Sequence, residues 1–295
     1  MQLRARRVLA PALLVLLAGS CSRESGAAGK LRFSAIPDRS TTELEEKFGR
    51  VADYLEAELG VPVEFVPTAD YTASVEAFKN GDVQLAWFGG LTGVRARAAV
   101  AGARAIAQGV VDPDYRSYFV ANAETGLGLS ESFPMELEGL TFTFGSDSST
   151  SGRLMPEYFL RKHTGKAPAE FFAGAQMSFS GTHDKTALLV QEGTYQAGVL
   201  GYKDYDRMVT EGKLDPTRCV KVWETPEYAD YNWTAHPSLE ETFGAGFIDR
   251  LQAALVRMEG PELLAAAQRE EGLIPATNED FAALEELARE LNLLR

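Results

Sequence analysis

The chain has 295 residues, of which 45% are hydrophobic, and its formal net charge at pH 7 is −13. This length and apolar content suffice for two domains of ordinary size. The acidic balance excludes nucleic acid as a partner, because a phosphate backbone requires a basic protein surface. For the same reason, an anionic ligand would have to be held by local hydrogen-bond donors and helix N-termini, which act at short range.

The N-terminus has the pattern of an export signal. Three arginines precede the almost purely apolar run 8–17, and small residues at 18–20 stand directly before Cys21. The run is too short for a spanning helix. We therefore predict that residues 1–20 are a signal peptide and that the protein works in the periplasm or on the outer face of the cell membrane. Loss of the three arginines changes the net charge from −13 to −16.

A cysteine directly after small residues resembles a bacterial lipobox, in which that cysteine receives lipid and becomes the mature N-terminus. The lipobox pattern prefers Leu three residues before the cysteine, where this chain has Ala18. We predict membrane attachment through lipid on Cys21 and a lipid-anchored linker at residues 21–30; an ordinary signal with an incidental cysteine is the alternative. Cys219 is predicted to be a buried free thiol, because two cysteines do not make a disulfide framework.

From Leu31 onward, short β runs alternate with helical periodicity, which is typical of α/β layers with largely parallel sheets. Thr41 or Thr42 is predicted to cap the first helix, which ends at Gly60. The strands predicted in this part of the chain are 31–36, 61–66, 83–88 and 104–110, and the later helices are 71–80 and 91–100.

The chain is then expected to cross near 118–123 and to begin a second α/β set. The strands predicted in that set are 140–144, 172–179, 197–200 and 220–224, and the helices are 151–163, 183–192 and 203–211. A second crossing is expected within 223–236, and the tail 239–295 is predicted to be mostly helical.

This chain order predicts two lobes. One consists of residues 31–120 and 234–295, and the other of residues 121–233. Because the chain passes twice between them, the lobes are expected to be hinged and to close around a small ligand in the cleft.

The most informative segment is 145–152, Gly-Ser-Asp-Ser-Ser-Thr-Ser-Gly, which follows a predicted strand and opens a predicted helix. Its hydroxyls, the unpaired N–H groups of a first helical turn and the positive end of the helix dipole form an anion site without any lysine or arginine. Ser148 or Ser149 as an ordinary helix cap is the alternative. This turn, however, carries more hydroxyls than capping needs.

Four segments act together as a set of motifs. They are Asp70-Tyr71, Gly81-Asp82 with Leu85 to Gly90, Ser148 to Gly152, and Gly181 to Leu188. In this order they resemble the phosphate/phosphite/phosphonate-binding proteins of ABC importers, and more narrowly the selenate-binding subgroup. The match runs from Leu31 to about Leu255.

The resemblance implies an α/β, two-lobed periplasmic-binding-protein fold, type II-like, with a ligand cleft between two domains joined by two hinge crossings. It implies an extracytoplasmic solute-binding lipoprotein that is a monomer and passes a small tetrahedral oxyanion to a membrane permease. No cofactor, metal or catalytic residue is expected.

The resemblance also implies roles for single residues. Ser149, Thr150 and Ser151, beside Ser148, correspond to the turn that holds the oxygens of the anion. Three ring side chains are implied to donate to the same anion, namely Tyr71, Tyr115 and His183. Phenol and imidazole groups are suitable donors to charged oxygens, and an imidazolium at low pH is expected to add attraction.

Trp87 and Gly89 end an apolar strand at the edge where ligands of α/β sheets gather. Gly89 would let the backbone approach a ligand closely, and Trp87 is predicted to line the cleft, with core packing as the alternative. Ser34 and Asp38 lie at the equivalent end of the first strand and are not expected to contact the ligand.

Acidic residues of the second lobe hold the ammonium group in the family's aminoalkylphosphonate binders. Near the first such position this chain reads Leu-Gly-Tyr-Lys at 200–203, without a carboxylate, and Asp230 or its neighbour Tyr231 falls at the other. An aminophosphonate is therefore disfavoured and a compact inorganic oxyanion is favoured. Tyr202 is expected to fill the space of a ligand side arm.

Two other functions use the same residues. A hydrolase could pair the serine-rich turn with His183, but the chain has no HExxH, CxxC or GxSxG motif and no evident orienting acid. A sensor could use the same cleft, because a membrane partner can read ligand closure. We predict a binding protein and not an enzyme.

Overall fold

The computed structural model describes residues 29–294. The predicted signal peptide at 1–20 and the predicted lipidation site Cys21 lie outside this range. Among the described residues, no helix is long and apolar enough to cross a membrane. Two β-sheets with packed helices organise this part of the chain.

The first sheet combines strands from both ends of the chain. Its strands are β1 (Leu31–Ala35), β2 (Val63–Phe65), β3 (Leu85–Phe88), β4 (Arg104–Gly109), β10 (Asn232–Ala235) and β11 (Leu273–Pro275). They lie in the order β11-β4-β10-β3-β1-β2. β1 is parallel to β2 and β3, whereas β10 is antiparallel to β3 and β4.

The second sheet contains the strands from the middle of the chain. They are β5 (Ser117–Asn122), β6 (Thr141–Phe144), β7 (Ala173–Phe179), β8 (Ala197–Gly201) and β9 (Cys219–Glu224), in the order β7-β6-β8-β5-β9. β6 is parallel to β7 and β8, and β5 is antiparallel to β8 and β9.

The helices of the first half are α1 (Thr41–Leu59), α2 (Tyr71–Lys79), α3 (Gly90–Ala99), α4 (Met155–Thr164), α5 (Pro168–Phe171) and α6 (His183–Gln191). Those of the second half are α7 (Tyr202–Thr210), α8 (Ser238–Phe243), α9 (Phe247–Val256), α10 (Pro261–Ala266) and α11 (Ala282–Glu290).

The first helix shows how local sequence sets these boundaries. Ser40 is the N-cap, because its side chain accepts the N–H of Glu43, so the prediction of Thr41 or Thr42 was wrong by one or two positions. Gly60 ends the helix in the left-handed conformation at φ 68°, which glycine adopts without a Cβ clash. The buried face of α1 includes Leu44, Phe48 and Leu55.

Two features of the sheets differ from the prediction of largely parallel strands. β5 and β10 carry the chain from one sheet to the other, and each enters its new sheet against the direction of the neighbouring βαβ strands. The segment expected to be a crossing at 118–123 is therefore mostly strand β5. Strands β10 and β11 were not predicted at all.

The two crossings lie between β4 and β5, at 110–116, and between β9 and β10, at 225–231. They pair with each other, because the amides of Tyr115 and Tyr228 donate reciprocally to the carbonyl groups of the same two residues at 2.9 and 3.0 Å. The lobe boundaries at 120 and 233 stay a prediction, since sheet membership assigns strands and does not define rigid bodies.

Aromatic side chains fill both lobes. In the first, Phe33, Phe48 and Trp233 form one fully buried cluster with ring centroids 5.8–6.1 Å apart. In the second, Phe119 and Trp223 pack at 5.5 Å. These rings bury large apolar areas against the sheets, which is the main favourable term for folding.

Cys219 is a free thiol at 0% exposure, as predicted. Burial raises the pKa of its thiol to about 12, so the reactive thiolate is scarce at neutral pH. In a variant that begins at Ser22, we expect this single cysteine to resist a thiol reagent in the folded state and to react fully in denaturant. A colorimetric thiol assay measures both rates, and equal rates would contradict the expected burial.

Candidate ligand-binding site

The hydroxyl-rich turn begins a continuous helix. Ser149 adopts the extended N-cap conformation, and Thr150–Leu154 form a π-helical turn that runs into α4. Ser149 Oγ accepts the N–H of Gly152 at 2.9 Å. Ser149 is therefore the cap, but because its oxygen acts as acceptor in that bond, its own hydrogen can still be donated. The amides of Thr150 and Ser151 have no acceptor within the helix because they belong to its first turn.

Two glycines bring the end of β6 against this helix start. The amide of Gly145 donates to the carbonyl of Gly152 at 2.9 Å. A Cβ on Gly152 would lie 3.0 Å from Ser149 Oγ and 3.1 Å from the Gly145 Cα. A side chain at this position would push the turn away from the strand, so the glycines help to fix where the hydroxyls point.

The start of α3 reaches the same turn from the first sheet. The amide of Gly90 donates to Asp230 Oδ1 at 2.8 Å, and the next amide, that of Leu91, donates to Thr150 Oγ1 at 3.0 Å. A Cβ on Gly89 would lie 3.3 Å from both of these oxygens. Glycine at position 89 therefore permits the close approach of three protein segments, and the predicted approach of its backbone to a ligand stays a prediction.

Ser148 joins the helices of the two sheets. Its Oγ accepts a bond from Arg95 Nη1 at 2.7 Å and lies 3.2 Å from Thr72 Oγ1. Arg95 belongs to α3 and Thr72 to α2, both of which pack on the first sheet. The hydroxyl of Ser148 is thus engaged between the lobes, while those of the three following residues face the buried site.

The tyrosines expected to donate to the ligand are both buried. Tyr71 begins α2 after the capping Asp70 and is 2% exposed, and Tyr115, on the first crossing, is 1% exposed. Tyr71 Oη has no hydrogen-bond partner among residues 29–294. Burial raises the pKa of each phenol well above its usual range, and nearby carboxylates add to the rise, Asp38 at Tyr71 and Asp204 at Tyr115. Both phenols therefore remain protonated donors.

His183 is held as a neutral donor. It begins α6 behind the N-cap Thr182, and its Nδ1 accepts the N–H of Gly201 at 3.3 Å. A neutral ring whose Nδ1 accepts must carry its hydrogen on Nε2. That nitrogen is buried and, in the described part of the chain, has no hydrogen-bond partner.

The imidazolium expected at low pH is disfavoured here. Burial lowers the pKa of His183 below its ordinary value of 6.5, although Asp204 opposes the shift. Protonation of Nδ1 would also replace its bond from Gly201 by two opposed N–H groups. His183 can therefore offer a hydrogen bond to an anion at neutral pH without carrying a charge.

A buried ionic cluster stands next to His183 and was missed by sequence reasoning. Asp204 Oδ2 lies 3.9 Å from His183 Nε2, and Asp204 Oδ1 accepts from Arg39 Nη2 at 3.1 Å. Arg39 Nε is also 3.6 Å from Asp38 Oδ1. Burial acts to raise the pKa of Asp204, but the charges of Arg39 and Arg207 hold it below its usual value. Burial raises the pKa of Asp38 to about 7.

This cluster changes one argument about the ligand. The tetrapeptide 200–203 lacks a carboxylate, but Asp204 follows it directly and is 2% exposed. Its charge is already balanced by Arg39 and by Arg207, at 3.6 Å. The carboxylate is therefore committed to guanidinium groups, and the preference for a ligand without an ammonium group rests on this pairing instead of on a missing acid.

A cavity of about 240 Å³ adjoins the cluster. Its lining includes Asp38, Asp204 and three tyrosines, Tyr115, Tyr202 and Tyr231. The ring centroids of Tyr202 and Tyr115 are 4.9 Å apart. Tyr202 therefore packs beside Tyr115 at this cavity, and its role against a ligand side arm stays a prediction.

Trp87 lies in a stack and not on an open wall. Tyr231 covers it with ring centroids 4.5 Å apart and an interplanar angle of 18°. The guanidinium of Arg269 lies over both rings, at 5.2 Å from Trp87 and 4.5 Å from Tyr231, and pairs with Asp112 at 2.8 Å. Trp87 supports Tyr231, and Tyr231 is the ring of this stack that reaches the cavity.

The structure thus brings most of the predicted residues together. The turn at 149–151, Tyr71, Asp230 and His183 are all at most 3% exposed and lie at helix starts or on one crossing. Tyr71 and Asp230 adjoin the turn, and Asp204 lies near both Tyr71 and His183. Sequence reasoning missed Arg39, Asp204 and Arg269. They belong to no motif, and position was their only signal. Arg39 and Asp204 each follow closely on a strand, and Arg269 lies in the short loop between α10 and β11.

The comparisons with known proteins agree with this architecture. A family model described as the periplasmic substrate-binding protein of a phosphonate ABC transporter matches residues 33–281. A probable ABC transporter phosphite-binding protein of Prochlorococcus marinus (strain MIT 9301) is 34% identical over 271 residues, covering 90% of this chain and 91% of that protein. A phosphate-import protein of Mycolicibacterium smegmatis is 29% identical, covering 95% of each.

A solved structure gives the same result. The P. marinus protein PhnD1 in complex with methylphosphonate superposes with a TM-score of 0.83 at 34% identity, covering 89% of this chain and 98% of that chain. Two α/β lobes, two crossings and a donor-lined buried site define a periplasmic substrate-binding protein. The chain belongs to the phosphonate-binding family of ABC transporter substrate-binding proteins, which act outside the cytoplasmic membrane.

The neutral state of His183 can be tested through the pH dependence of the stability of the folded protein. A lowered pKa contributes stability that is fully present above pH 6.5 and is lost as the pH falls towards the folded-state pKa. Between about pH 7.5 and 5 we expect the wild type to lose stability relative to His183→Gln, which cannot titrate. Thermal melts of both proteins give this difference, and NMR titration of the ring checks the pKa directly; a His183 pKa above 6.5 would contradict the assignment.

Proposed function

We propose that this chain captures a small tetrahedral oxyanion of the phosphite, phosphonate or phosphate type and delivers it to a membrane permease. The observation that carries the proposal is the convergence of neutral donors on one buried region. These donors are the hydroxyls and amides of the turn at 149–151, the phenol of Tyr71 and the Nε2–H group of His183.

Neutral donors suit an oxyanion better than they suit other ligands. A tetrahedral anion offers several oxygens that each accept more than one hydrogen bond, and such charge-assisted bonds are the strong kind. The helix that starts at Thr150 adds the positive end of its dipole. Together these groups can replace the hydration of the anion, although the protein as a whole carries negative charge.

The surroundings favour a compact ligand. Asp204 is paired with Arg39 and Arg207 and is thus a poor partner for a ligand ammonium group. Tyr115, Tyr202 and Tyr231 stand close together at the cavity. A ligand with no side arm, or with one as small as a methyl group, avoids displacing these rings.

The printed names of the relatives support the same class. The P. marinus protein is named for phosphite and its structure holds methylphosphonate, while the M. smegmatis protein is named for phosphate import. We extend this ligand class to the present chain. Selenate, which the narrower resemblance suggests, is the alternative ligand, and its affinity is to be compared with those of the other anions.

We further propose that the mature protein is a monomer anchored by lipid on Cys21. The linker that would follow, up to about residue 30, is long enough to keep the lobes clear of the membrane surface. The partner is then the permease of an importer, which receives the anion from the closed lobes.

Removal of two hydroxyls from the turn tests the binding site. Thr150→Ala with Ser151→Ala deletes two charge-assisted hydrogen bonds of about 1.5–3 kcal/mol each. The affinity for the preferred anion should fall by about a hundredfold or more, at about 1.4 kcal/mol per factor of ten. Isothermal titration with phosphite, methylphosphonate, phosphate and selenate measures this loss.

The control for this variant is Lys203→Ala. Lys203 pairs with Glu271 on the surface at 2.8 Å, and exposed pairs of this kind contribute about 1 kcal/mol at most. Its affinity should therefore change by no more than about fivefold. If the double variant bound the anion as tightly as the wild type does, the turn would be a helix cap and no more.

The anchor is tested separately. We expect the protein purified from its native membrane to begin at Cys21 and to carry the mass of attached lipid, and Cys21→Ser to be released from the membrane in soluble form. Intact-mass spectrometry with membrane fractionation measures both. An unmodified N-terminus downstream of Cys21 would refute lipidation and leave the binding site untouched.

A further inference from the structure

The carboxyl group of Asp230 occupies an unusual place for an anion-binding protein. Asp230 lies on the second crossing, is 1% exposed, and is fixed through Oδ1 by the amide of Gly90 at 2.8 Å. Its other oxygen, Oδ2, has no hydrogen-bond partner within residues 29–294. A carboxylate oxygen is an acceptor only, so it is the wrong group for an anion's bare oxygen.

Asp230 is also adjacent to the donors of the turn. Consecutive amides of α3 hold Asp230 Oδ1 and Thr150 Oγ1, and a Cβ on Gly89 would be 3.3 Å from both oxygens. Because Thr150 Oγ1 accepts from Leu91, its hydrogen can point to a ligand oxygen. An anion bound by Thr150 and Ser151 would therefore meet the carboxyl group of Asp230.

Two charged oxygens in contact in a buried site repel each other strongly, because little water screens them. A proton between them removes the repulsion and makes a strong O–H···O bond. Burial raises the pKa of Asp230 to about 7, against the lowering effect of the Gly90 amide and of the Thr150 and Ser151 hydroxyls, while Asp112 on the first crossing adds to the rise. The carboxyl group is thus poised to share a proton.

We propose that Asp230 makes the site selective for oxyanions that carry an ionisable proton, the proton being donated from a ligand hydroxyl to Asp230 Oδ2. The inference rests on the proposed function and narrows its ligand class. Phosphite, phosphate and phosphonates bring such a proton near neutral pH. Sulfate, selenate and sulfonates do not, and each places a bare oxygen against the carboxylate.

A pair of nearly isosteric ligands isolates this one proton. Methylphosphonate and methanesulfonate both have a methyl group on a tetrahedral centre with three oxygens, but only the former has a second ionisable proton. Titration calorimetry at about pH 7.5 and constant ionic strength compares them. We expect the wild type to prefer methylphosphonate by about tenfold at this pH, because methanesulfonate must either bind beside the ionised carboxylate or bind only after Asp230, with its pKa of about 7, has taken up a proton.

The variant Asp230→Asn reverses the polarity of the contact. Its amide oxygen can still accept from Gly90, while its NH₂ group stands where Oδ2 was and donates. We expect methanesulfonate to gain affinity, methylphosphonate to lose it, and their ratio to fall by at least about tenfold. Asp184→Asn is the control, because it also removes one carboxylate, which is bound to Arg207 at the edge of the site. The ratio of its affinities for the two ligands should remain that of the wild type.

The outcomes separate this inference from the proposed function. If the wild type binds both ligands with similar affinity, the site does not discriminate by the ligand proton. This inference then fails, and the proposed function stands. If Asp230→Asn binds well but keeps the wild-type ratio of affinities for methylphosphonate and methanesulfonate, Asp230 is not the residue that discriminates between them. If neither ligand nor any oxyanion of the panel binds, the proposed function fails, and this inference fails with it. The wild-type ratio decides the case even if the variant does not fold.

Discussion

An anion that leaves water for a closed site in an acidic protein must find there enough hydrogen-bond donors to replace its hydration. The rest of this structure follows from that constraint. Long-range attraction is absent, because the net charge is −13, and the buried arginines Arg39 and Arg269 are paired with carboxylates. The donors that remain are short-range and neutral, so they must be assembled at fixed positions.

The fold assembles them by ending several strands at one place. The helices that begin at Tyr71, Gly90, Thr150 and His183 all start shortly after a strand or a strand-proximal loop. Tyr71, Thr150 and His183 contribute side chains, whereas the start at Gly90 contributes amides that hold Asp230 and Thr150. Two of the starts belong to each lobe. Both lobes therefore contribute to the proposed site, and we expect closure and ligand binding to be coupled.

Sequence periodicity and capping signals predicted the βαβ portions of each lobe well, because their pairing is local and parallel. The antiparallel strands β10 and β11 were missed because a strand of three or four residues gains its stability from distant partners. The same dependence on distant partners explains which residues of the site were missed. The turn at 149–151 was found from a motif, whereas Arg39 and Asp204, which are 165 positions apart and hydrogen-bonded, have no local signal.

The contacts between the lobes also limit how closure can be driven. Arg39 with Asp204 is a buried ion pair, and the desolvation of two charges offsets most of their attraction; Lys203 with Glu271 is exposed and weak. Neither ion pair supplies a large net driving force, and the other polar contacts between the lobes include the bonds that Ser148 and Thr150 accept from Arg95 and Leu91. In the proposed binding mode, a ligand held by Tyr71 from one lobe and by Thr150 and His183 from the other would stabilise the closed form, because its hydrogen bonds would exist in full only there.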